Sequence, residues 1–156
     1  MSKVNVQQFA QITAISLLIF IPFAIYSDSI ELPSKVESLL IGKEVLVFED
    51  MQGTMTINDI LAGRANFRES TSDTLNFGLT SSAYWIQFEI QNTNPNLLEY
   101  LIEISHPHID SIRLFYIKDN QINLTYEGGD SLSFKERSIK HRNFFFLSNT
   151  DMTIKI

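Results

Sequence analysis

The segment His106-Pro107-His108-Ile109-Asp110 holds the densest set of metal-ligand types in the sequence. In an extended stretch alternate side chains point the same way, so His106, His108 and Asp110 would face one side together. Two imidazoles and a carboxylate are donors that suit a catalytic zinc, with water in the open position. The residue after Asp110 is Ser111 where an H-x-H-x-D-H loop would place a further histidine, and His141 is the only other imidazole. His106, His108 and Asp110 are therefore the metal candidates of an incomplete set. The expectation is that no metal and no other cofactor is held.

The stretch from Asp130 to Arg142 gathers Asp130, Lys135, Glu136, Arg137, His141 and Arg142. A charged loop on a rigid scaffold is a common place for ligand contacts, and a solvated loop stapled by one Arg–Asp pair explains the same residues. Trp85 is the other binding candidate. It shares a strand face with Gln87, Glu89 and Gln91, where an exposed indole flanked by amides and carboxylates would stack on a sugar ring. The competing reading has a second layer covering the indole, since Trp is on average well buried. The ligand-binding candidates are thus Trp85, Gln87, Asp130, Arg137 and Arg142.

Signals for catalysis are missing. No H-E-x-x-H, G-x-S-x-G or phosphate-binding loop occurs. Gly128-Gly129-Asp130 is followed by Ser131-Leu132, which lacks the acid and aromatic of a diguanylate cyclase signature. No two carboxylates sit where one pKa alone would rise. The expectation is a protein that is not an enzyme. Cys is absent, which removes disulfides, thiolate chemistry and cysteine-ligated zinc. A formal charge of −6 offers no basic footprint, so nucleic acid is not an expected partner.

The elements that must carry these residues read as strands. Glu44–Phe48 is a short β-type run, followed by the turn composition Glu49-Asp50-Met51-Gln52-Gly53. Thr56 is placed to cap a single helical turn through Ala62, stopped by Gly63. In Ala83–Asn92, Tyr84, Ile86, Phe88 and Ile90 share one face against Trp85, Gln87, Glu89 and Gln91. Tyr100–Ser105 and Ile112–Ile117 alternate likewise. Lys118-Asp119-Asn120-Gln121 turns the chain into Ile122–Tyr126 as a hairpin, and a polar loop runs from Glu127 to His141. Asn143–Leu147 is apolar on both faces, as in an inner strand, and Met152 begins another. Short strands separated by turn clusters argue an all-β sandwich or barrel. The sequence stops inside that last strand, which reads as a truncation that would leave a pairing edge.

The amino terminus carries one charge, Lys3, before an apolar run from Ile12 to Ile25. At about 14 residues the run is short for a membrane span and suits the core of an export signal. Residues 1–27 are read as a signal peptide, or as an uncleaved signal-anchor given bulky Ile25 and Tyr26. Residues 28–43 form a lead-in segment, and 44–156 the exported domain.

The ordered set Glu49-Asp50, Gly53-Thr54-Met55-Thr56-Ile57-Asn58-Asp59-Ile60, Phe67, Asn76-Phe77-Gly78-Leu79, Trp85-Ile86-Gln87-Phe88 and Asn92 resembles a known family. It continues through Pro107–Tyr116, Gly129-Asp130, Phe134, Arg137 and Asn143–Phe146. The family is the extracellular sensor domain type 2 of bacterial seven-transmembrane receptors with diverse intracellular signalling modules. The resemblance implies a jelly-roll-like antiparallel β-sandwich similar to carbohydrate-binding modules, here preceded by an N-terminal signal helix. It implies a periplasmic or extracytoplasmic place, membrane-anchored if the signal stays. It also implies a small polar ligand such as a carbohydrate, with a membrane receptor or signalling partner. The sequence shows no transmembrane bundle or output module. The alternative is an exported protein–protein interaction domain without a small ligand, docking through Phe144–Leu147 and the unfinished last strand.

Overall fold

The computed structural model describes residues 29–32, 38–94, 96, 99–118, 121–137, 139–148 and 152–155. The expected signal, residues 1–27, lies outside them, as does part of the lead-in segment. The described residues form β1 (Ile30–Glu31), β2 (Leu46–Asp50), α1 (Ile57–Leu61), β3 (Arg68–Glu69), β4 (Ala83–Gln91) and β5 (Tyr100–Ile104). They continue with β6 (Ile112–Lys118), β7 (Gln121–Gly128), a 3₁₀ turn at Phe134–Glu136, β8 (Phe144–Ser148) and β9 (Met152–Lys155). The fold is mostly β, as expected.

The larger sheet has the order β3-β2-β4-β9-β6-β7, and the smaller pairs β5 with β8. These pairings are antiparallel, while β1 joins β4 in parallel at Ile30↔Ile90. The period of two explains β4. Phe88 and Ile90 are buried in the core, and Tyr84 and Ile86 pack against it. Val47, Ile112 and Leu114 join them from the larger sheet, and Ile102, Phe144 and Phe146 from the smaller, so residues of both sheets share one core. Each such side chain contributes roughly 1.5–3 kcal/mol on burial.

A second apolar layer lies on the other face of β4. Leu46 and Trp85 are buried there, outside the main cluster. Leu46 and Phe48 stand opposite Gln87 and Trp85, and Phe48 packs on Phe67 with ring centroids 5.9 Å apart. Ile60 is the buried residue of α1, whose start is the expected one: Thr56 and Asp59 form a reciprocal capping box. Gly63, at φ 71°, follows the helix in the left-handed region.

The last strand, β9, lies inside the larger sheet, bonded to β4 at Gln87–Ile90 and to β6 at Phe115–Ile117. One expectation is corrected. The Asn143–Leu147 run is not an inner strand, because among the described residues β8 pairs only with β5. Phe144 and Phe146 fill the core while Leu147 is exposed. An apolar run names no pairing partners, and only the strand order does. The β6–β7 hairpin is as expected, pairing Lys118↔Gln121, and its second strand reaches Gly128, two residues beyond the sequence reading.

Candidate functional site

The expected site residues fall in two places. Asp130 and Arg137 come together at the open end of the β6–β7 hairpin, where the β5–β6 and β7–β8 connections meet, and Arg142 joins them through its backbone carbonyl. The Asp130 amide donates to the Ile109 carbonyl at 2.8 Å, and the Ser131 amide and hydroxyl donate to the Asp110 carbonyl at 3.1 and 2.6 Å. Gly129 makes this approach feasible. Its φ is 133°, and a Cβ there would stand 2.1 Å from the Asp110 carbonyl oxygen.

Arg137 is the post of this end. Its Nη2 donates to Asp130 Oδ1 at 2.8 Å, and its Nη1 donates to the carbonyls of His141 and Arg142 at 2.9 and 3.1 Å. The guanidinium lies 4.5 Å over the Phe144 ring and 5.3 Å from that of Phe134. With 9% of the side chain exposed, Arg137 is a structural staple that fixes Asp130 from behind. Its Nε is buried without a partner, as is Asn143 Oδ1. The Asn143 amide nitrogen donates to Glu103 at 2.5 Å, which ties the start of β8 to β5. Lys140 caps the 3₁₀ turn by donating to the Lys135 and Arg137 carbonyls.

Asp130 Oδ2 lies 3.7 Å from His108 Nδ1, and the Asp130 side chain is 41% exposed. His108 and Arg142 are exposed beside this construction. Among the described residues no three His, Asp or Glu side chains converge as metal ligands, the candidates His106, His108 and Asp110 included. The contribution of Ile109 and Asp110 is two backbone acceptors for the neighbouring connection. What this end offers chemically is a part-exposed carboxylate beside an exposed imidazole.

Trp85 and Gln87 lie elsewhere, on the outer face of β4. The indole is not exposed as a sugar platform would require. It is 7% exposed and stacks on Phe115 of β6 with centroids 6.0 Å apart. The covering layer is the better reading for Trp85, and Gln87 is half-buried beside it.

Two features were missed in the sequence. Asp50 is 6% exposed, and its carboxylate accepts from the amides of Gln52, Gly53 and Met55 at 3.3, 3.0 and 2.7 Å. The spacing Asp50-x-x-Gly53 is an Asx-turn signal that could have revealed it. Phe77 stacks on Tyr84 at 3.8 Å and 6°, and the Tyr84 hydroxyl donates to Glu49 at 3.0 Å. Burial, and then the Glu49 carboxylate, push the Tyr84 phenol above its ordinary value. No local pattern marks that ring pair.

Comparison with curated proteins gives no match. Among the described residues no helix is long and apolar enough to cross a membrane. The model of one family, 7TMR-DISM extracellular 2, matches residues 42–154. That span contains both sheets' long strands, the Asp50 turn and the whole docked end at Asp130–Arg137, and the chain belongs to this family of extracellular sensor domains of seven-transmembrane receptors.

Proposed function

We propose that this chain is an extracytoplasmic ligand-sensing domain of jelly-roll type, which binds a small polar ligand such as a carbohydrate at the docked end. The observation that carries this reading is Asp130, held from behind by buried Arg137 while its second oxygen points towards His108 and solvent. A carboxylate so oriented accepts hydroxyl hydrogen bonds without first paying to order itself. Exposed Arg142 supplies a donor from the same connection. Family membership supports sensing, and a membrane-bound signalling partner would read occupancy. The amino-terminal apolar run would export or anchor the domain.

The test is a thermal-shift and calorimetric screen of neutral mono- and oligosaccharides against the protein, Asp130→Asn and Arg142→Ala. A saccharide that stabilises the parent but neither variant, with the variants folded, is the expected result. Equal binding to all three would overturn this seat.

One observation favours the second reading, a protein–protein interaction domain. Leu101 and Leu147 stand directly opposite one another across the β5–β8 ladder and are 53% and 63% exposed. Sedimentation would show a concentration-dependent species that Leu147→Asp abolishes, and a monomer at every concentration would count against it.

A further inference from the structure

The inner face of the larger sheet carries a ring pair and two opposite charges towards its β3 side. Glu49 of β2 stands opposite Tyr84 of β4, and Arg68 of β3 stands opposite Val47 of β2. Val47 and Glu49 are two positions apart on one strand, so Glu49, Tyr84 and Arg68 share a face. Arg68 is the diagonal neighbour of Glu49 there, a spacing that long side chains span.

Phe77 is set on this face by its own turn. The Asn76 side-chain oxygen accepts from the Gly78 amide at 3.0 Å, and Gly78 takes a φ of 68°. The Phe77 ring lies flat on Tyr84, at 3.8 Å and 6°. Phe77 is still 36% exposed, so the stack ends in solvent and not in the core. Tyr84 is fixed in turn by its hydroxyl, which donates to Glu49 Oε1 at 3.0 Å. Among the described residues no donor reaches the second Glu49 oxygen, and no ion pair joins Glu49 to Arg68. Arg68 is exposed, and its charge is felt at the Tyr84 hydroxyl, where it opposes burial and the Glu49 carboxylate.

A half-buried carboxylate and a guanidinium held apart beside a ring stack suit a molecule that answers both charges at once. Charge-assisted hydrogen bonds are the strong ones, and a zwitterion forms two of them while bringing no net charge. We infer that this face binds a free α-amino acid with an aromatic side chain. Its ring extends the Tyr84–Phe77 stack, its ammonium donates to the second oxygen of Glu49, and its carboxylate accepts from Arg68. The stack supplies an aromatic contact, and its fixed rings lower the cost of ordering the seat. A neutral sugar matches the ring face but leaves both charges without a counter-charge. The seat uses no residue of the Asp130 end, so it goes beyond the proposed function and stands apart from it.

Calorimetric titration of the chain with L-phenylalanine tests this. The controls are 3-phenylpropionate, phenethylamine and L-alanine, which lack the ammonium, the carboxylate and the ring. Saturable binding of L-phenylalanine is expected, and each control should bind about tenfold more weakly or worse, as for one lost charged or apolar contact. Arg68→Gln, an exposed change checked by an unaltered thermal melt, should weaken L-phenylalanine to a similar degree, and Phe77→Ala should do the same. Asp130→Asn should bind it as the parent does. No binding of L-phenylalanine, equal binding of 3-phenylpropionate, or full binding by Arg68→Gln would each overturn the inference. Loss in Asp130→Asn with retention in Arg68→Gln would move the amino acid to the docked end and overturn this seat. The saccharide screen reads the docked end by itself, so either seat can fail without the other.

Discussion

Two chain reversals in this protein are each organised by one aspartate, and they solve the problem differently. Asp50 is nearly sealed and is satisfied wholly by backbone amides from the next five residues. Asp130 is half open and shares its charge between an arginine from its own connection and a histidine from another. A local carboxylate with only backbone donors makes a rigid corner and leaves no valence for a ligand. A carboxylate propped by a buried cation keeps one oxygen facing solvent. The first is architecture, and the second combines architecture with an available acceptor.

That contrast is broken most severely at Gly129. Gly129→Ala forces a side chain into the Asp110 carbonyl at a φ that L residues rarely adopt. The expected loss is roughly 3–5 kcal/mol, read from urea unfolding, from strain and overpacking together. A stable variant would mean that the two connections do not dock as described.

Asp50→Ala comes next, at about 3 kcal/mol, because three amides lose a charged acceptor in a part-buried turn. Asp50→Asn should recover part of that loss on the same thermal melt, since one side-chain oxygen remains. If both variants cost under about 0.5 kcal/mol, the turn is held by its neighbours instead.

Arg137→Lys sharpens the comparison. Lysine keeps the charge but forfeits the planar fork that reaches two carbonyls while lying on Phe144. We expect a loss of about 2 kcal/mol, less than for a fully sealed pair because Asp130 is 41% exposed. Near-neutral behaviour would make the Asp130 contact, not the fork, the whole of its role.

The smallest effect concerns an exposed pair near the Asp50 turn. The Thr56 hydroxyl and amide, together with Arg64, hold the Asp59 carboxyl below its ordinary value of 3.8. A depressed folded value favours folding above that pH, and the contribution fades as pH falls through the folded value. Asp59→Asn should therefore lower stability slightly at neutral pH, flatten the acid limb below about pH 4, and converge on the parent at the acid end. An unaltered acid limb would remove Asp59 from the account.

Short-range features were legible in the residues. The Thr56–Asp59 box, the alternation of β4, the β6–β7 hairpin and the Arg–Asp pairing in the Asp130 loop depend on neighbours a few positions apart. The ordered residues shared with the receptor sensor family were legible too. The Asp50 turn was partly so, since its composition was seen and its sealed carboxylate was not.

What the sequence determined by itself was a mostly β chain with one capped helical turn, a charged loop from Asp130 to Arg142, and the ordered residues of an extracellular sensor family. Only the tertiary structure decided that Trp85 is covered, that β9 runs between β4 and β6, and that Gly129 lets two distant connections lock. The reason is physical. Alternation tells which side chains share a face, but not which face a ring from a neighbouring strand will cover. Strand order is set by pairing energies between segments tens of residues apart, and no spacing within either segment encodes them.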